Sequence, residues 1–279
     1  MAAKLGILVI HGMGNQNANF AEDLRLSLAD RLGADFYDVA FEPCLWADVL
    51  QRYQDQTWEH LLDATRMEAK RMRHFVVSAL GDPLGYISGY YKPWKRGYLD
   101  IHRRVRVSLR RLELQLEPGS PLIVLAHSLG SVIMNNYIWD EQKPRPWRLA
   151  SNTRRMKTPF QRLETLTSFI TYGSNIPLFL PPQSKTECIT FPSLALPERF
   201  KPIAKWINLY DPDDILGYPL NTVWTDHHGT FIHDQPINAG LWPFSETILS
   251  HALYHKDATF LKIVVEQVRA NLDLSREFV

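Results

Sequence analysis

The residues with the most chemistry to offer are one serine, a group of aspartates and a group of histidines. Ser128 lies in "PLIVLAHSLGS", where a run of branched apolar residues ends at His127, Ser128, Leu129 and Gly130. A second apolar run, "KWINLY", ends in Asp211, Asp213 and Asp214. Downstream come His227, His228, His233, His251 and His255. A serine hydroxyl is a weak nucleophile until an imidazole takes its proton and a carboxylate orients that imidazole. Near the N-terminus, "VIHGMGNQ" places His11 and Gly12 in a glycine-rich turn, where backbone amides rather than side chains can face a reacting group.

Such groups work only if the chain holds them still, so the elements around them matter. Leu5 to Ile10 is continuous and apolar, as in a strand covered on both faces. Leu24, Leu28 and Leu32 have helical spacing, with Asn19 as the expected cap and Gly33 as the stop. "DFYDVAF", "PLIVLA", "LTSFITYG", "KWINLY" and "GTFIHDQPI" read as further strands. "SVIMNNYIWDEQ" and "DATFLKIVVEQVRANL" read as helices. Strands alternating with helices predict an α/β fold, a mostly parallel sheet flanked by helices, in a single domain spanning 1–279. In such a sheet reacting groups gather at the carboxyl ends of the strands. Ser128 is at one such end. Ala126 and Gly130, two residues before and after it, leave room for a sharp strand-to-helix turn.

Composition removes several classes of function. The chain has 279 residues, 45% of them hydrophobic, which is enough for one large core. A net charge of +1 gives no global field for nucleic acid. Cys44 and Cys188 are too few for a disulfide scaffold and read as buried thiols. No apolar run approaches the ~18 residues of a membrane helix. The first ten residues are too short for a signal-peptide core, so a cytoplasmic location is expected.

The pairing of "VIHGMGNQ" with "AHSLG" resembles the α/β-hydrolase superfamily, in particular its serine esterase and lipase branches, from about Leu5 to Asn271. Ala126 stands where that family's elbow usually has its first glycine. The resemblance implies hydrolysis of carboxylic esters, with lipid esters as one class, and needs no metal or organic cofactor. It implies Ser128 as nucleophile, with the backbone amides of Met13 and Leu129 as the oxyanion donors. The family's order is serine, acid, histidine. Asp214 is favoured as the acid, then Asp213, then Asp211, and one of the three is expected to be buried. "ILSHALYHK" resembles the Ser-His-x-x-Tyr stretch of lipase-like members and nominates His251 as base, in a loop before the last helix. His11 and His127 are expected to shape the pocket. The chain begins at what would be an inner strand, so the early strands of the larger fold are expected to be missing.

Residues 50–98 are expected to form a helical and irregular cap, with Tyr86 and Tyr90 toward substrate. From Arg66 to Arg111 there are 12 Lys or Arg against 3 Asp or Glu, a net of +9. That stretch reads either as a basic lid meeting an anionic membrane surface or as the wet face of a helix carrying Arg103, Arg106 and Arg110. A thioesterase or acyltransferase would use the same triad, and a silent hydrolase fold would use none of it. A metal reading of His227, His228, His233 and Asp234 lacks helical ligand spacing.

Overall fold

The computed structural model describes residues 2–14, 16–50, 83–86, 96–143, 157–180, 187–224, 226–239, 251 and 253–277. Six strands form one sheet: β1 (Leu5–Ile10), β2 (Val39–Cys44), β3 (Leu122–His127), β4 (Leu166–Tyr172), β5 (Lys205–Tyr210) and β6 (Ile232–Pro236). Their order is β2-β1-β3-β4-β5-β6, and every neighbouring pair is parallel. The chain moves outward from β1 to β2, then crosses back to β3 on the other side of β1. That reversal is a topological switch point, where strand ends leave a crevice. Both edge strands carry a proline, Pro43 and Pro236, at positions where the lost donor costs no inner ladder bond.

Helices α1 (Glu22–Leu32) and α4 (Ala258–Glu277) cover one face. Helices α2 (Arg96–Glu113) and α3 (Leu129–Gln142) cover the other. On α4, Phe260, Val264, Val268 and Leu272 recur on one side and are fully buried. Each such burial is worth about 1.5–3 kcal/mol. Polar pairs fix the register of α4 on the sheet: Thr167 Oγ1 donates to Asn271 Oδ1 (2.6 Å) and Ser168 Oγ to Gln267 Oε1 (3.1 Å).

Several boundaries depart from the sequence pattern. Gly33–Asp38 is a 3₁₀ turn, and β2 starts at Val39, paired with Leu5. Tyr37 is 90% exposed and Phe36 packs half-buried against the core, so the apparent apolar run before Val39 lies beside the sheet and not in its ladder. Helix α1 starts at Glu22 behind Ala21, with no side-chain cap. Asn19 instead donates its backbone N–H to Asn17 Oδ1. Helix α3 starts at Leu129, two residues earlier than its apolar pattern. Helix α4 runs on to Glu277, where Arg276 pairs with Asp35 and Asp38. Cys44 and Cys188 are free and buried, and burial pushes both thiols up to about 12.

Of the expected cap, residues 51–82 and 87–95 lie outside the described residues, and Tyr90 with them. Tyr86 does not line a site. It is fully buried, with its hydroxyl 2.9 Å from His102 Nε2, and it accepts a hydrogen bond from Asn136 Nδ2. Asn136 is eight residues along α3 from Ser128, ~12 Å at helical rise. In the described part of the basic stretch, Ile101, Val105, Leu109 and Leu112 are buried while Arg103 and Arg110 face solvent. Arg104 pairs with Asp48 at 2.6 Å. No described helix is long and apolar enough to cross a membrane.

Candidate active site

The site stands on the carboxyl ends of β1, β3, β4 and β5. Ser128 is the single residue between β3 and α3, and its backbone has φ 50° and ψ −124°. A non-glycine residue with positive φ is strained, and the surroundings must over-determine it. They do so here. The Ser128 N–H donates to Tyr172 O (3.0 Å), and its carbonyl accepts from the Ser131 N–H (2.9 Å) and Ser131 Oγ (2.5 Å).

Two glycines give the turn its clearance. A Cβ on Gly130 would stand 2.6 Å from His11 O and 2.9 Å from Ile10 O. A Cβ on Gly12 would stand 2.7 Å from Ser128 Cβ. The "HG" turn after β1 and the "SLG" turn after β3 therefore touch backbone to backbone, which only glycine allows.

Ser128 is fully buried, and its Oγ donates to His251 Nε2 at 2.7 Å. His251 Nδ1 donates to Asp214 Oδ2, also at 2.7 Å. Serine and histidine are brought together across 123 residues, histidine and aspartate across 37. Asp214 Oδ1 accepts from the Leu216 N–H (2.9 Å), and Oδ2 also accepts from the Tyr254 hydroxyl (2.8 Å). Burial pushes the Asp214 carboxyl up. Its hydrogen bond with His251, the charge of that ring, the Leu216 amide and Tyr254 together outweigh this and leave it below the usual value. Asp213 is exposed. Asp211 is buried as well, so two carboxylates lie inside rather than one. Asp211 is satisfied locally, accepting from the Asp213 N–H (2.9 Å) and the Ala239 N–H (2.8 Å). His251 has helical backbone rather than loop.

His11 and His127 hold the frame. His11 Nδ1 donates to Gly12 O (2.7 Å), and Nε2 accepts from the Trp46 N–H (3.1 Å). The ring stacks on Trp46 at 4.8 Å, and burial lowers its pKa to about 4. Because a trans peptide points its N–H away from its C=O, anchoring the Gly12 carbonyl also sets the direction of the Met13 N–H. His127 Nε2 donates to the His251 carbonyl (2.7 Å), and desolvation lowers that ring to about 3. His11, His127 and His255 line a cavity of about 110 Å³ on the α1 side of the strand ends. Leu129 is the first residue of α3, so its N–H has no intrahelical partner.

Two of the other candidate histidines lie elsewhere. His228 faces Glu187 and Asp226 on the surface, and His233 packs edge-on against Phe231. Asp234 accepts from the Leu220 and Asn221 N–H groups and from Asn208 Nδ2, holding the loop after β5. Among the described residues no three His, Cys, Asp or Glu side chains group to hold a metal ion.

Two further polar residues join the site, Tyr254, which the Ser-His-x-x-Tyr resemblance includes without a role, and Asn175, which carries no sequence signal. Tyr254 bridges the acidic loop: its hydroxyl donates to Asp214 and accepts from the Asp211 N–H (2.8 Å). The one available signal was its position three residues after His251, which puts both on one side of a helical turn. Asn175 Nδ2 lies 3.5 Å from Ser128 Oγ, and nothing local in "GSNIP" marks it. Compared with known proteins, the chain matches no family model, no curated protein and no solved structure.

Proposed function

We propose that this chain is a serine hydrolase of carboxylic esters, built on an α/β-hydrolase fold. The observation that carries the reading is the unbroken line from Ser128 Oγ–H to His251 Nε2, and from His251 Nδ1–H to Asp214 Oδ2, both 2.7 Å. The strained elbow at a switch point of a parallel sheet supports it.

In this reading Ser128 Oγ bonds to the acyl carbon while its proton passes to His251 Nε2. The carbonyl oxygen becomes an oxyanion and takes hydrogen bonds from the Met13 and Leu129 amides. Each such donor is worth about 3 kcal/mol at the transition state. The bond from the acyl carbon to the alcohol oxygen then breaks, and His251 returns the proton to the departing alcohol. Water repeats the sequence on the acyl-enzyme, giving its proton to His251 and releasing the carboxylic acid and Ser128. Asp214 stays ionised throughout, fixing the imidazole tautomer and balancing its charge.

The test is hydrolysis of p-nitrophenyl esters from short to long acyl chain, wild type beside Ser128→Ala, with fluorophosphonate labelling read by mass. The expected result is turnover and a single label in wild type and neither in the variant. The acyl-length optimum then distinguishes soluble from lipid esters. Folded wild type that neither turns over any ester nor takes the label sinks the reading.

A further inference from the structure

Asn175 is a buried amide that the triad does not use. It follows β4, and its side chain is fully buried. Its Nδ2 is 3.5 Å from Ser128 Oγ, and its Oδ1 is buried with no hydrogen-bond partner among the described residues. An orphan buried acceptor is costly, and among the described residues two asparagines leave the amide oxygen so, Asn135 and Asn175. Of the two, Asn175 is the one with its amide nitrogen beside the Ser128 oxygen.

The surroundings hold it there. Gly173 turns the chain at φ +54°, and a Cβ at that position would stand 3.1 Å from His251 Cε1. Ser174 Oγ is 2.8 Å from Ser131 Oγ, which in turn donates to the Ser128 carbonyl. The elbow and the Asn175 turn are thus stitched together. The Asn175 carbonyl accepts from the Leu178 N–H at 3.0 Å, starting a 3₁₀ turn. Chemistry sets the orientation of the amide. The Ser128 hydroxyl spends its hydrogen on His251, so Oγ offers only lone pairs, and the NH₂ must face it.

Resting on the ester-hydrolase reading, we infer that Asn175 is a further catalytic residue, whose NH₂ supports the Ser128 oxygen as its proton leaves and whose Oδ1 accepts from an O–H beside the acyl carbon. The proton still travels from Oγ to His251 Nε2, and Asn175 neither gives nor takes one. Its contact is long at rest and shortens as charge builds on Oγ, as catalytic hydrogen bonds often do.

The experiment compares wild type, Asn175→Ala and Asn175→Asp. It reads the second-order rate of fluorophosphonate labelling, kcat and KM on the best p-nitrophenyl ester, the pH profile of kcat/KM, and Tm. Asn175→Ala is expected to label and turn over about ten- to a hundredfold more slowly with little change in KM, as for a lost transition-state donor. Asn175→Asp keeps the shape but sets a negative charge beside the hydroxyl and the imidazole. It is expected to be slower still, with the acid limb of kcat/KM at higher pH. A purely structural residue would lower Tm and leave the labelling rate and pH profile alone, and that result overturns the inference while the hydrolase reading stands. Wild type that takes no label overturns both.

Discussion

Two buried aspartate–histidine pairs lie among the described residues, and their surroundings differ. In the pair His251–Asp214 the ring nitrogen is 2.7 Å from the carboxylate, and the opposite nitrogen faces a strained serine. In the pair His102–Asp140 the separation is 3.6 Å, and the opposite nitrogen faces the Tyr86 hydroxyl at 2.9 Å. The first pair is carried by turns after strands. The second joins α2 to the last turn of α3 and is walled by aromatic rings, with Tyr98 4.0 Å from the His102 ring and its hydroxyl donating to Asp140 (2.7 Å). Both are polar networks inside a core. What separates them is a hydroxyl held at an unfavourable backbone angle, with Gly12 packed against it. An aspartate–histidine pair by itself marks a satisfied core as readily as a site.

Mutations in matched positions test that difference. Ser128→Ala is expected to lower kcat on the order of 10⁵–10⁶-fold, since the triad acts as a unit. Asp214→Asn is expected to cost about 10⁴-fold in kcat, because the imidazole loses the group that fixes its tautomer. The corresponding change in the other pair, Asp140→Asn, is expected to leave kcat within about threefold and to lower Tm. Equal losses of kcat in the two aspartate variants would erase the distinction. Tyr254→Phe sits between these: kcat falls about tenfold and stability by about 1–3 kcal/mol, read from urea denaturation, because the Asp211 amide loses its acceptor.

Acid is expected to weaken the fold through His11 and His127. Folding lowers His11 from 6.5 to about 4 and His127 from 6.5 to about 3. Below pH 6.5 the unfolded chain takes up these protons and the folded one does not, so stability falls with acidification. For each ring the loss reaches ~1.4 kcal/mol per pH unit, ending near pH 4 for His11 and near pH 3 for His127. The lowered Asp214 carboxyl adds stability above its ordinary value of 3.8 that is lost as pH falls below it. Unfolding free energies that stay level between pH 7 and 5 would show that the two rings are charged in the folded state.

Much of the sheet was legible because a strand buried on both faces is mostly apolar, and the polar residues it carries, such as Thr167 and Ser168 in β4, are paired inside. "LGILVI" and "KWINLY" carry that pattern between clear breaks, and β1 and β5 match them residue for residue. β2 was misread because aromatic residues in "DFYD" imitate a strand, and only pairing with β1 decides which residues join the sheet. At the site, Ser128 was legible for a local reason: a sharp turn demands small neighbours, and Ala126 and Gly130 supply them. Asp214 was separable from Asp211 and Asp213 only weakly, since three carboxylates in four residues look alike until the fold buries two and exposes one.

The sequence by itself therefore determined the layers, most of the strands and the sharp turn at Ser128, because each depends on residues a few positions apart. Tertiary structure alone decided which histidine and which aspartate meet the serine, and that Tyr254 and Asn175 join them. Those contacts bridge 37 to 123 residues. At such separations the partner is chosen by strand order and by where the loops after β4 and β5 turn back, and not by any local spacing.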